Sequence, residues 1–295
     1  FPISLRETVK SHGWVSLAPW NWDEKEEILS RPEIIHVDKR FVVRIFQEQL
    51  DSVTIKVNDH ALLGKEIDEV FTIVKRWLSY DWYPEEAIKI AKTQSPEIAD
   101  FIQGGGGRFL RSSSFYEDLV KTLCTINTNW ASTKFMVASL VDFVGDGIFP
   151  TPVMITSQTE KSIRTNCGLG FRAPTLLNIT HELLSNGVID QRGHILTKTP
   201  TYHELIQLKG IGPYSASHIS MLENDFSRIP IDSVVTNFCK TAFDIPPEKI
   251  EIYFSGWGHY KFLGYNLMKK MTHSNDYGLV GDKKEEEFGY TEHEN

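Results

Sequence analysis

One carboxylate stands alone in an apolar run: IPIDSVV, residues 229–235, centred on Asp232. Twenty residues earlier, LKGIGPY (208–214) sets Gly210 and Gly212 on either side of Ile211, followed by Pro213 and Tyr214. Glycines allow a sharp turn between two helices and leave backbone N–H groups pointing outward at the start of the second. Helped by the helix dipole, such a cluster binds anions, and along duplex DNA the anion is a backbone phosphate, which carries no sequence information. Pro213 suits the first turn of that second helix. Asp232 follows Pro230 and opens another apolar segment, the position and chemistry of an N-cap. Taken singly, a glycine turn and a capping acid are ordinary parts of helical proteins. Together they would hold an ionised carboxylate beside a gripped strand, where it can stabilise developing positive charge and position water.

The elements that must position this pair divide the chain unevenly. HVDKRFVVRIFQ (36–47) and DSVTIKV (51–57) are rich in β-branched and aromatic residues and predict a hairpin. EIDEVFTIVKRWL (66–78) predicts a one-faced helix. GGGGRFLRSS (104–113) reads as a flexible joint, and Ser114 and Glu117 after it stand in capping-box spacing. Helices are expected at 130–144, 158–166 and 171–186, the last stopped by Gly187, then near 201–208, 213–223, 232–243 and 257–270. The expected architecture is mainly α, with a β-rich antiparallel N-terminal domain (1–75), a helical body (76–275) and an acidic, disordered tail (276–295).

Composition excludes several function classes. No run of 18 apolar residues appears, so no membrane partner is expected. Three separated cysteines, Cys124, Cys167 and Cys239, suit a reducing compartment (cytoplasm, nucleoid or nucleus) and cannot build a four-thiolate site. The histidines form no H-E-x-x-H pattern, and GGGGR lacks the Lys-Ser/Thr of a phosphate loop, so neither metal nor cofactor is expected. The chain opens FPISLRETVK and reads as a trimmed form, with room for a removed targeting segment. The net charge of −8 is unfavourable for a polyanion partner, but the last fifteen residues carry six acids against two lysines. Residues 161–270, around the hairpin, hold twelve Lys/Arg against nine Asp/Glu. Charge therefore leaves DNA open.

The glycine hairpin followed by Asp232 resembles the helix-hairpin-helix DNA glycosylases, the HhH-GPD superfamily, which have two helical subdomains. YEDLVKTLCTINTNWASTKFMVASLVDFVG (116–145) is similar to the helix pair of the 8-oxoguanine branch, and the resemblance puts Asn127 where an asparagine fills the hole left by a flipped base. GLGFRAPTLL (168–177) is similar to an element in which an aromatic wedges the duplex and an arginine reads the orphaned base, here Phe171 and Arg172. SGWGHYKFLGYNLMKK (255–270) resembles the last helix, which lines the base pocket. SHGWVSLAPWNWDE (11–24) looks like the opening of a broader group of relatives. The resemblance implies DNA contacts at Leu208, Gly210, Gly212 and Tyr214 and a catalytic Asp232. It also implies a base pocket of Tyr214, Trp257, His259 and Leu263; apart from the resemblance, Trp14 or Trp130 could stack on a cationic base.

The departures matter as much. Bifunctional relatives place a Schiff-base lysine two residues after the second hairpin glycine, where this chain has Tyr214. A second cytosine-reading arginine falls at Ser132, and a pocket glutamine and phenylalanine fall at His259 and Leu263. The chain sits between the 8-oxoguanine and alkylpurine branches. The resulting expectation is a monomeric, monofunctional enzyme that removes a damaged base from duplex DNA, an alkylated purine first. Oxidised-purine excision and a catalytically silent binder of modified DNA are the alternatives.

Overall fold

The computed structural model describes residues 2–35, 39–58 and 62–276; beyond Asp276 the expected acidic tail lies outside the described residues. A short helix α1 (Leu5–Val9), capped by the Ser4 hydroxyl, leads into a tight turn at Gly13–Ser16. Four strands follow in sequence order as one antiparallel sheet: β1 (Asn21–Asp23), β2 (Ile28–Ile35), β3 (Lys39–Gln49) and β4 (Ser52–Val57). The predicted hairpin is the β3–β4 pair, with a register shift between Phe46 and Gln49. Strand β2 escapes the sequence pattern because Arg31 and Glu33 point inward beside Leu29 and Ile35. These charges are matched across the domain: the Arg31 guanidinium forks onto both oxygens of Glu117 at 2.9 Å, and Lys121 lies 2.7 Å from the same carboxylate.

Helix α2 (Gly64–Trp77) buries Val70, Ile73, Val74 and Trp77, as its one-faced pattern requires. Helices α3 (Glu85–Gln94) and α4 (Pro96–Gln103) then lead into the glycine run, which is not the flexible joint its composition suggests. Gly105–Ser114 are buried, and Gly105 accepts the Ser4 N–H. A Cβ on Gly106 would stand 2.2 Å from the Phe101 ring, so the glycines here permit close packing.

Helix α5 (Phe115–Thr125) is the centre of the molecule, with every residue from Phe115 to Cys124 buried. Ser114 caps it by accepting the Glu117 N–H, but the Glu117 side chain completes no capping box because it holds Arg31 and Lys121. Asp118, fully buried, accepts from the Trp14 indole at 2.9 Å, the Ser112 N–H at 3.0 Å and Arg76 at 2.8 Å. One central helix thus ties the N-terminal segment, the sheet and α2 together through charges its sequence gives no reason to bury.

The rest is helical and close to expectation: α6 (Trp130–Ser139) running into a wide π-type turn at Leu140–Val144, α7 (Pro152–Thr156), α8 (Glu160–Asn166) and α9 (Arg172–Ser185). Gly187 after α9 has φ 63°, the left-handed conformation that closes a helix. Then come α10 (Tyr202–Leu205), α11 (Pro213–Leu222), α12 (Ser233–Phe243), α13 (Ile250–Tyr253) and α14 (Lys261–Asp276). No helix among the described residues is long and apolar enough to cross a membrane.

Candidate active site and nucleic-acid interface

The hairpin forms between α10 and α11. Gly210 adopts φ 98°, and a Cβ there would lie 2.4 Å from the Thr175 methyl of α9, so both conformation and space demand glycine. Gly212 is the N-cap of α11 and provides no capping side chain, while Pro213 is the first helical residue. Gly210, Gly212 and Pro213 are exposed, which presents backbone at the dipole's positive end. Leu208 differs from expectation: its side chain is buried, 8% exposed, and anchors the hairpin from beneath.

Asp232 is the N-cap of α12, with Oδ1 accepting the Val235 N–H at 2.8 Å. It remains partly exposed. Two tyrosines feel its charge. Burial, reinforced by Asp232, pushes the Tyr214 hydroxyl up to about 12. Burial and Asp232 likewise raise the Tyr265 hydroxyl on α14. One turn beyond Tyr214 on α11, the His218 ring lies nearly parallel to it at 5.9 Å, and Trp14 lies 4.8 Å from the same ring. Asp232 is thus near enough to Tyr214, two residues past the second hairpin glycine, for its charge to act on that hydroxyl.

The four residues of the predicted pocket differ in exposure: Tyr214 is half-buried, Trp257 and Leu263 are buried, and His259 is exposed. Trp257 is 3% exposed and its ring lies against Gly264, where a Cβ would meet it at 2.3 Å. Leu263 is sealed in the core, and His259 is exposed on a turn that packs by Gly256 and Gly258 against Gln94 and Ile90 of α3. Two residues that sequence reasoning passed over, His218 and His12, stand by Tyr214 and Trp14, and a third, Tyr265, feels the Asp232 charge. Only His218 carried a local signal, since it follows Tyr214 by one helical turn. Two cavities, one lined by Arg31, Phe149 and His194 and another by Phe101, Arg108 and Asn266, lie away from Asp232.

Just beyond the C-terminus of α5, Asn127 adopts φ 45° and is exposed, and Phe171 is 57% exposed, as residues meant to enter a gap must be. Arg172 departs from its expected base-reading role. It is buried, donates to the carbonyls of Ile126 and Asn127, and carries the Phe171 ring at 4.3 Å. Its guanidinium holds the Asn127 turn and Phe171 together. Trp130 lies against Gly13, where a Cβ would stand 2.7 Å from its ring, and Trp14 is buried.

No family model matches the sequence, and no curated protein matches it. Solved structures do. The 3-methyladenine DNA glycosylase of Archaeoglobus fulgidus superposes with a TM-score of 0.69 at 16% identity, over 95% of this chain and 97% of that one. The 8-oxoguanine glycosylase/lyase of Clostridium acetobutylicum, bound to duplex DNA with cytosine opposite 8-oxoguanine, gives 0.63 at 18% identity, over 92% and 93%. The chain has the helix-hairpin-helix DNA glycosylase fold. A DNA-3-methyladenine glycosidase from Bacillus halodurans matches a smaller share, 66% of this chain and 92% of its own, with a TM-score of 0.51 at 17% identity. Within this fold the described residues contain no group of three or more His, Cys, Asp or Glu side chains placed to hold a metal.

Proposed function

We propose that the protein is a monofunctional DNA glycosylase that flips a damaged base, an alkylated purine first, out of duplex DNA and hydrolyses its N-glycosidic bond. The observation that carries this reading is Asp232, a partly exposed carboxylate anchored at the N-terminus of α12, with Tyr214 beside it where a Schiff-base lysine would otherwise stand. The hairpin amides at Gly210–Gly212 take a backbone phosphate. Asn127 and Phe171, steadied by Arg172, fill the space left in the stack, offsetting the few kcal/mol lost on flipping. As the bond to the base lengthens, positive charge grows on the sugar, and Asp232 stabilises it and orients the attacking water. An alkylated purine already carries positive charge, so its departure needs no strong acid, and the half-buried face of Tyr214 can stack on it. Tyr214 has no amine to attack the sugar, so the product is an abasic site without strand cleavage.

The test is a panel of duplexes holding 3-methyladenine, 7-methylguanine, 1,N6-ethenoadenine, hypoxanthine, uracil or 8-oxoguanine. Excision of at least one is expected, strongly reduced in Asp232→Asn and giving no borohydride cross-link. A cross-link would move the protein to the bifunctional class. Tight, salt-sensitive binding of modified duplexes with no base release would make it a silent reader.

A further inference from the structure

We propose that two histidines from opposite ends of the chain, His12 and His218, read the extruded base with bare ring nitrogens that accept hydrogen bonds, selecting bases that carry an amino or imino donor. This rests on the glycosylase reading and names the substrate class of the same site. The rings form a continuous series leading from the carboxylate. Tyr214, which senses Asp232, stacks on His218; His218 is 6.4 Å from His12; and His12 stacks on Trp14 at 5.0 Å with its edge toward Phe109. The N-terminal segment around Ser11–Trp14 is thereby a wall of the catalytic site, with Trp14 fixed by the Asp118 carboxylate.

The hydrogen bonds decide the tautomers. The Ser11 hydroxyl gives its one proton to the Thr8 carbonyl at 2.7 Å and accepts the Leu110 N–H at 3.0 Å. Its contact with His12 Nδ1, at 3.0 Å, can therefore only be a bond donated by the imidazole. Thr122 repeats the arrangement. Its hydroxyl proton goes to the Asp118 carbonyl at 2.8 Å, so the 3.1 Å contact with His218 Nδ1 is again donated by the ring. In neutral rings both Nε2 atoms are then lone-pair acceptors. The rings are neutral, since burial lowers His218 to about 4 and His12 well below its ordinary value, with His218 and Lys121 adding repulsion at His12. His12 Nε2 is shielded from solvent and has no partner among the described residues, an arrangement that costs free energy unless a ligand supplies the donor. A neutral acceptor also tolerates a cationic base that an imidazolium would repel.

Three duplexes test this: 7-methylguanine and 3-methyladenine, which carry N–H donors on the base edge, and 1,N6-ethenoadenine, whose bridged N6 has none. The readouts are single-turnover excision and affinity, the latter also for 7-methylguanine on a hydrolysis-resistant 2′-fluoro sugar and for an abasic-site analogue. His12→Ala should lower excision of the amino-bearing bases about tenfold or more. It should leave ethenoadenine and abasic-analogue affinity unchanged, and His12→Gln, which restores an acceptor, should recover part of the loss. Equal losses on all duplexes, or wild-type excision by His12→Ala, would overturn the proposal. If wild-type protein excises nothing yet prefers the 2′-fluoro 7-methylguanine duplex in a His12-dependent way, recognition stands and the glycosylase reading falls. If the wild-type protein shows no such preference, the recognition proposal falls as well.

Discussion

Replacing Asp232 by asparagine separates the two roles of this residue, cap and charge. Asparagine caps a helix about as well as aspartate, so the Val235 N–H keeps its acceptor and the unfolding temperature should barely move. The charge is lost. A unit charge about 4 Å from a developing cation, at an effective dielectric constant of about 20, is worth about 4 kcal/mol, or roughly a thousandfold in rate. Single-turnover excision on the best duplex should fall by about that factor. Asp232→Ala should lose the cap as well, about 1 kcal/mol, seen as a drop of about 2–3 °C in thermal unfolding. The tyrosines give a readout that needs no substrate. With the carboxylate gone, the Tyr214 and Tyr265 hydroxyls lose a charge that raises them and should ionise at lower pH in an ultraviolet absorbance titration. Excision by Asp232→Asn within tenfold of wild type would refute the assignment of the charge. Tyrosine titrations that do not move would refute its placement.

Other changes have outcomes set by the same geometry. Gly210→Ala forces a side chain into φ 98° and against Thr175, so duplex affinity should fall together with about 1–3 kcal/mol of stability in urea unfolding. Glu117→Gln leaves Arg31 and Lys121 buried without their shared counter-charge, and denaturant unfolding should show a loss of about 3–5 kcal/mol. His218 is held neutral to about 4 when folded and has an ordinary value of 6.5 when unfolded, so the unfolded chain takes up the proton first. Its contribution is complete above pH 6.5 and declines as pH falls toward 4, by up to about 3 kcal/mol, and His218→Leu should flatten that part of the stability profile.

The sequence alone determined the parts of this protein that depend on local backbone chemistry. The turn at Gly210–Gly212, the proline that opens α11 and the cap at Asp232 are all legible because each needs a particular residue at a particular φ or terminus. The same holds for the one-faced helix α2, the β3–β4 hairpin and the exposed Asn127 and Phe171. What surrounds the carboxylate was decided by tertiary structure. Trp257 and Leu263 packed into the core because glycine at 264 lets the indole lie flat on α14. His12 and Trp14 joined the site from just over a hundred positions before α5 because Asp118, in the first turn of that helix, is a buried acceptor for the indole. The glycine run looked flexible by composition and is packed because Phe101, Trp82 and Ser4 close over it. Spacing along one helix or turn fixes a few ångströms of geometry; which buried charge meets which partner is fixed only when distant elements desolvate one another, and that pairing sets the walls of this site.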